Sequence, residues 1–283
     1  MKGSKYNVAK KVLKRIIQYM FIAITAIFII YPLLFTLLTS LKTKEGYISN
    51  PYGLDITNLT LDNYIKILEN FDFMSKLMNT FVVVGISIVL ILILAIPSAY
   101  CINALKRKSL QAVIIVSCFA LMFIPEEVLI LPEYNLMSKL GMINNYLSVI
   151  IIFVASSLPE AIFLLTIYFK AVPEEVIDAA KIDGADDLSC LLNVVIPISN
   201  APIIVVGITT VISLWNTFLI PMMMLYEDDK KLLVPSLSGL ITKHSTTPTY
   251  QMAGMFLAII PLVVTYIIFK KHIFENSIGG AIK

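Results

Sequence analysis

The amino-acid sequence predicts an all-α membrane protein with six transmembrane helices. Of its 283 residues, 58% are hydrophobic and only 14% are charged, whereas soluble domains are about 45–50% apolar and about 25% charged. Four stretches carry no charge, and each exceeds the roughly 20 residues that cross a bilayer: Ile16–Leu41, Leu77–Leu105, Leu188–Tyr226 and His244–Phe269. Two more are interrupted only by acids: Ser109–Leu131, by Glu126 and Glu127, and Tyr146–Phe169, by Glu160.

These stretches define six spans whose ends are marked by basic residues. We expect the spans at about residues 16–41, 77–105, 109–131, 146–169, 198–224 and 251–269. Most of the 22 basic residues fall on one face of such a chain, most clearly in the short Lys106–Lys108 loop. Because basic loops stay in the cytoplasm, the pattern predicts cytoplasmic termini. The basic segment 1–15 precedes a permease-like domain over 16–272, and a tail over 273–283 follows.

The first span begins after a basic segment, as a signal peptide does. Its uncharged run is longer than a signal-peptide core, and no small-residue cleavage site follows. We therefore interpret it as a retained anchor.

Residue types that perform chemistry are scarce. The chain has two histidines and three cysteines, without metal-ligand spacing, and it lacks the Gly-x-x-x-x-Gly-Lys-Ser/Thr phosphate loop. Its net charge is +3, but the basic residues lie beside the ends of the spans and do not form a groove that would bind phosphates. We expect no enzyme active site, no metal or cofactor site and no nucleic-acid partner.

The hydropathy falls between spans four and five, over residues 170–197, where acids accumulate. Pro173 is a residue type that starts helices, and Gly184 is one that ends them. Asp186 or Asp187 can cap a second helix that begins near Leu188. Together they predict a helix–turn–helix elbow projecting from the membrane, in which small side chains at adjacent alanines would let another backbone approach.

The elbow contains a recognisable sequence motif. Asp178-Ala-Ala is followed after three residues by Gly184, and nine further residues lead to Val194-Val-Ile-Pro197. This resembles the EAA loop of ABC importer permeases, with Asp178 in place of the usual Glu. Trp215-Asn216-Thr217-Phe-Leu-Ile-Pro221 is similar to the W-N-E-F-x-x-P segment of the same family. The likeness covers most of the chain and resembles the MalG-type, carbohydrate-uptake branch.

The resemblance implies a type I ABC importer permease in a bacterial cell membrane. Such a chain pairs with a sister permease, and two cytoplasmic ATPase subunits bind the ATP and Mg²⁺. An extracellular or periplasmic solute-binding protein delivers a sugar. The EAA loop would dock on the ATPase through these residues: Glu174, Glu175, Asp178, Ala179, Ala180, Asp183, Gly184, Ala185 and Pro197.

Three features leave alternatives open. The elbow could instead be an amphipathic connector at the membrane surface. Glu160, an acid inside a span, could face a polar translocation path, pair with a neighbouring subunit or sit near a wet kink. Trp215 and Asn216 could contact sugar, or they could pack between helices, with an Asn216 hydrogen bond across the bundle.

Two other functions also remain open. The first is a stand-alone secondary carrier or channel, although carriers commonly show paired repeats and more spans. The second is an ABC permease for another solute, such as an amino acid.

Overall fold

A computed structural model describes residues 2–53, 59–240 and 248–279. These residues are nearly all helical, and the only β-type pairing among them is an antiparallel bridge between Lys42 and Leu59. The chain forms two compact units, Met1–Phe71 with Leu240–Leu257 and Asp72–Gly239 with Ala258–Lys283. Residues 241–247 of the predicted outer loop and residues 280–283 of the predicted tail lie outside the described residues.

The first unit begins with a long apolar helix. Its helices are α1 (Lys2–Leu41), α2 (Lys44–Ser49) and α3 (Asp62–Asn70). The amide of Asn63 donates from α3 to the carbonyl oxygens of Ser40 and Lys42 at 2.8 and 2.9 Å. These bonds satisfy carbonyl groups at the C-terminus of α1, and they fasten α3 there.

Most of the second unit's helices precede residue 240. They are α4 (Phe73–Ala104), α5 (Lys108–Leu121), α6 (Glu126–Lys139), α7 (Tyr146–Phe169), α8 (Glu174–Ile182), α9 (Asp187–Cys190), a π-helical turn (Leu191–Val195), α10 (Ile196–Ile198), α11 (Asn200–Asn216), α12 (Leu219–Met224) and α13 (Leu233–Ser238). The last helix, α14, covers Thr249–Gly279, of which the part up to Leu257 belongs to the first unit and the rest to the second.

The core of the second unit lies between α4 and α7. These two helices pack along each other, and α11 contacts both. Val83 and Ile91 from α4 meet Val149, Phe153 and Leu165 from α7 in a continuous apolar cluster, and all five are fully buried. Close van der Waals packing of such side chains holds transmembrane helices together, so α4 and α7 form the frame on which the other helices are placed.

Four of the described helices are long and apolar enough to cross a membrane. They cover Leu13–Leu41, Phe73–Ala104, Tyr146–Phe169 and Thr249–Lys271. Two bent helix pairs pass the same test, so the number rises to six if each pair is one span. The fold is that of a multi-pass α-helical membrane protein, as predicted.

Spans three and five are not the single straight helices that hydropathy alone suggests. α5 and α6 meet at 93°, and the segment Asp187–Ile198 meets α11 at 79°. At the first break Pro125 takes an extended backbone as the N-cap of α6. Proline also disfavours a helical conformation in the residue before it. At the second break Ser199 leaves the helical region, with φ −97° and ψ 17°.

Candidate functional site

The elbow forms where the sequence predicts it. Pro173 is the N-cap of α8, which ends at Ile182, and Gly184 follows with φ +89°. Residues with a Cβ rarely adopt such a backbone, whereas glycine adopts it readily. Gly184 therefore permits the tight turn between α8 and α9. The amide of Ala185 closes the turn by donating to the carbonyl oxygen of Ala180 at 3.0 Å.

Asp186 is the residue that starts the second helix of the elbow. Its carboxylate accepts a hydrogen bond from the backbone N–H of Ser189 at 2.8 Å. Hydrogen bonding to Ser189 lowers the pKa of Asp186. Of the two aspartates that the sequence offers as caps, Asp186 is therefore the N-cap, and Asp187 becomes the first residue of α9.

The two faces of α8 have different surroundings. Glu174, Ile177, Asp178 and Lys181 recur at the spacing of one helix face and line a cavity against the last turns of α4 and α7. The residues between them, Glu175, Val176, Ala179 and Ile182, are exposed. Ile182 is 86% exposed and Val176 is 41% exposed. Large apolar side chains so exposed outside the candidate spans leave this face available to a partner.

The two alanines of the motif are not equivalent. Ala179 is exposed, whereas Ala180 and Ala185 are partly buried and pack against the core that includes α4 and α7. The close approach expected at these small residues is therefore made in part by this chain itself. Asp183 is exposed after the last turn of α8, and Pro197 is exposed in α10, beyond the π-helical turn.

An ion pair ties the elbow together and to α4. Lys181 Nζ lies 3.0 Å from Asp187 Oδ1, and the hydroxyl of Tyr100 donates to the same oxygen at 3.5 Å. The hydrogen bond to Asp187, with its negative charge, raises the pKa of Lys181. One aspartate therefore connects α8, α9 and the last turns of α4.

The acids of the transmembrane helices are dispersed. Glu160 is exposed on α7, Glu126 is half-buried and Glu127 is exposed at the start of α6. Glu133, which the sequence reasoning passed over, has one buried carboxylate oxygen without a hydrogen-bond partner in the described part of the chain. No group of three or more histidine, cysteine or acidic residues is placed to hold a metal ion there.

Trp215 and Asn216 are adjacent in sequence but differ in burial and in hydrogen bonding. Trp215 is buried and meets the ring of Phe81 edge-on, with centroids 5.2 Å apart, while its indole N–H has no partner among the described residues. Asn216 is exposed, and its amide donates to the carbonyl oxygen of Ile212 at 2.8 Å. That bond lies within α11, so the hydrogen bond expected across the bundle is not formed.

A second polar cluster, unforeseen from sequence, fastens the loop between α12 and α13 to α4. Lys76, almost wholly buried, lies 3.5 Å from Asp228. Asn79 donates to the carbonyl oxygens of Asp229 and Lys231 at 2.8 and 3.2 Å, and Thr80 accepts from Leu233 N–H at 2.9 Å. The only sequence signal was a lysine and an asparagine in the first turns of an apolar helix.

Comparison with known proteins gives relatives that match along nearly the whole chain. The permease AraQ of the arabinooligosaccharides transport system of Halalkalibacterium halodurans is 29% identical over 94% of this chain and 95% of its own length. The multiple sugar-binding transport system permease MsmG of Streptococcus mutans is 28% identical, covering 94% of this chain and 96% of its own.

A solved structure matches at the level of the fold. One chain of a bacterial ABC transporter involved in the import of the acidic polysaccharide alginate superposes with a TM-score of 0.74 at 21% identity. The match covers 90% of this chain and 95% of that one. The family model described as binding-protein-dependent transport system inner membrane component matches residues 86–275, which include the elbow and its supporting helices. The chain is therefore a member of the binding-protein-dependent transport system inner membrane component family.

Proposed function

We propose that this chain is one permease subunit of an ATP-driven sugar importer. A sister permease would supply the other half of the translocation pathway, and a solute-binding protein would deliver a sugar or oligosaccharide. The names of the relatives support this substrate class, because they describe permeases for arabinooligosaccharides and for multiple sugars. Family membership supports the dependence on a binding protein.

The elbow is the observation that carries the proposal. Val176 and Ile182 present apolar surface on the exposed face of α8, with Glu175 and Asp183 beside them. A separate ATPase subunit would receive this face in a groove, as the EAA resemblance implies. Burial of an exposed isoleucine contributes about 1.5–3 kcal/mol, so this surface can contribute to docking, although it does not by itself offset the cost of association.

The elbow is built to transmit displacement to the spans. The inner face of Ala180 packs against the core that includes α4 and α7, and Asp187 binds both Lys181 and Tyr100. A movement of α8 driven by ATP binding would therefore be carried to α4 without a flexible link between them. ATP hydrolysis itself would take place in the partner subunits.

The orientation follows from charge. Lys106 and Lys108 lie beside the elbow in the structure, lining the same cavity as Lys181. The positive-inside rule places that basic turn, the elbow and both termini in the cytoplasm. The loop fastened by Lys76 would then lie on the outer face, where the solute-binding protein would meet the permease.

The translocation path would take its polar groups from the exposed residues of the bundle. Glu160 and Asn216 meet this description, because each is exposed within an apolar helix. Trp215 is buried and packs on Phe81, which favours a structural role for it.

Co-purification tests the proposal. The tagged chain, expressed with its native partners, should retain an ATPase subunit, whereas Ile182→Glu should release it and abolish uptake. Ile48→Glu is a matched control, because Ile48 is also well exposed, at 63%, but lies in α2. If Ile182→Glu keeps both the ATPase and transport, the elbow is not the docking surface.

A carrier or channel acting alone is the competing function. It would transport in vesicles that contain only this chain, without ATP. Deletion of the chain in its bacterium should abolish uptake of a particular sugar. Loss of amino-acid uptake instead would replace the sugar proposal with that of an importer for another solute.

A further inference from the structure

A cavity of about 600 Å³ lies behind α8, on the face opposite Val176 and Ile182. It is bordered by the last turns of α4 and α7, the turn between α4 and α5, and one face of α8, and it is open to solvent on one side. Its charged lining comprises four lysines and two acids: Lys106, Lys108, Lys170, Lys181, Glu174 and Asp178. Lysine therefore predominates in a space large enough for a small polar group.

The cavity lies at the end of two apolar helices. Ala104, the last residue of the candidate span Phe73–Ala104, and Phe169, the last of Tyr146–Phe169, both belong to its lining. Leu105 and Val172 add apolar surface beside them. The lining thus passes from apolar to cationic within a few residues, at the ends of two helices that are long and apolar enough to cross a membrane.

Three of the lysines form no ion pair with an acid in the described part of the chain. Lys181 is engaged with Asp187, but Lys106, Lys108 and Lys170 are exposed and take part in none of the ion pairs recorded for the described residues. Lysine binds phosphate as a point charge, and basic pockets between transmembrane helices bind phosphorylated lipid head groups.

We propose that this cavity holds the phosphate of a membrane phospholipid head group. Lys106 and Lys108 approach the phosphate from the α4–α5 turn, and Lys170 does so from the end of α7. Glu174 and Asp178 face the remaining head-group atoms, an amine or hydroxyls. The acyl chains lie outside, along the exposed apolar side chains of the spans.

The cavity lies on the face of α8 opposite Val176 and Ile182, and Glu174 and Asp178 belong both to its lining and to the expected docking residues. The two functions are separable through Lys106 and Lys108, which are not docking residues. A bound phospholipid joins the α4–α5 turn to the inner face of the elbow. The lipid would therefore stiffen the elbow in its position while the outer face engages a partner. The site does not depend on which solute the chain transports.

Native mass spectrometry of the purified complex tests the site. The wild-type complex, extracted from vesicles of phosphatidylethanolamine and phosphatidylglycerol, should retain a phospholipid that survives detergent exchange. Lys106→Gln and Lys108→Gln should each lower lipid affinity about fivefold, because one basic residue near anionic lipid contributes about 1 kcal/mol. Lys106→Arg and Lys108→Arg should retain the lipid, and they also preserve the charge that sets topology.

Two further variants separate the site from general effects. Ala104→Trp fills the cavity without a change of charge and should displace the lipid. Lys139→Gln and Lys270→Gln remove exposed lysines outside the cavity lining and should leave binding unchanged. Equal loss in all lysine variants would overturn the proposal, because it would indicate a diffuse surface charge effect.

The source of the phosphate is tested by competition. Inorganic phosphate added to the delipidated complex should fail to reproduce the thermal stabilisation that phosphatidylglycerol or phosphatidylethanolamine gives. If inorganic phosphate alone reproduces it, the site binds a free anion and the lipid assignment is wrong. If the cavity lysines instead cross-link to the ATPase in the assembled complex, it is a protein interface, which also overturns the proposal.

Discussion

Lys181 and Asp187 form an ion pair with 3.0 Å between Nζ and Oδ1, across the turn that Gly184 makes. The two residues belong to different helices of the elbow, and the same carboxylate accepts the hydroxyl of Tyr100. The pKa of Lys181 is raised by Asp187. Lys181 is therefore charged at neutral pH, and its contribution to the pair is lost as the pH rises through the Lys181 pKa, which lies above the ordinary lysine value of about 10.4.

Asp187→Asn should loosen the elbow without unfolding the protein. The pair is exposed, so its net contribution to global stability is below about 1 kcal/mol. Amide hydrogen exchange over residues 183–190 should nevertheless become faster. Asp183→Asn is the control, because Asp183 is exposed and has no recorded ion pair. Equal exchange in the two variants would show that the link between α8 and α9 does not order the turn.

Gly184→Ala should destabilise the elbow through backbone strain alone. A Cβ at this position meets no atom within 4 Å, but φ is +89°. A left-handed backbone costs an L-residue about 1–2 kcal/mol. Gly85→Ala is a matched control, since its Cβ also meets open space and its backbone is helical. The Gly85→Ala change should be neutral or stabilising by up to about 1 kcal/mol. Thermal unfolding measures the stability of both variants, and co-purification measures whether each retains the ATPase.

Asp228→Asn should destabilise the second unit. Asp228 lies 3.5 Å from buried Lys76 and 3.0 Å from Lys231, so the change removes the negative charge from both pairs. A loss of about 1–3 kcal/mol is expected, because removal of a partner's charge leaves a buried ammonium less well compensated. Asp229→Asn should leave stability unchanged, because Asp229 accepts the hydrogen bond from Asn79 through its backbone carbonyl, which the substitution keeps. An equal fall in melting temperature for Asp228→Asn and Asp229→Asn would contradict this explanation.

Trp215→Phe should preserve both folding and transport. Phenylalanine can still meet the ring of Phe81, whereas Trp215→Ala opens a cavity and should cost about 3–5 kcal/mol. The indole N–H has no partner among the described residues, so its removal breaks no recorded bond. Uptake kinetics decide the matter: if the phenylalanine variant is stable but transports poorly, the N–H binds substrate.

Glu160→Leu should reduce uptake, and Glu160→Gln should keep most of it. The side chain is exposed on an apolar helix, where an acid is usually functional, and glutamine preserves its polarity and shape. The variants are compared by the initial rate of sugar uptake at equal membrane content. Normal transport by the leucine variant would remove Glu160 from the path. Loss of the sister permease on purification would place it at the subunit interface.

The elbow was predictable because its determinants are local. Pro173, Gly184 and Asp186 each act on the few residues beside them, and the structure places all three in the expected roles. The docking and pathway roles assigned to individual residues remain predictions. The division of the motif between an exposed face and a packed face of α8 could not be predicted, because it depends on the position of the helices that pack against α8.

The long-range features could not be predicted from local patterns. Hydropathy locates span three but not its 93° bend, because a run of apolar residues contains no information on direction. The role of Lys76 likewise depends on Asp228, far along the chain. Asn216 shows the opposite case, since its amide bonds within its own helix where a longer-range partner was expected.

The attachment of the α12–α13 loop to α4 has a consequence for the synthesis of the protein on the ribosome. Asn79 bonds to a carbonyl group 150 residues further along the chain, and the carboxylate that pairs with Lys76 lies in the same loop. At synthesis rates of about 5–20 residues per second, α4 (Phe73–Ala104) is complete roughly 6–25 s before that loop leaves the ribosome. During that interval a nascent chain already in the membrane lacks the loop's carboxylate and carbonyl groups. A chain truncated before residue 228 should therefore be less stable than the full chain, because Lys76 and Asn79 lose these partners, and thermal unfolding measures the difference.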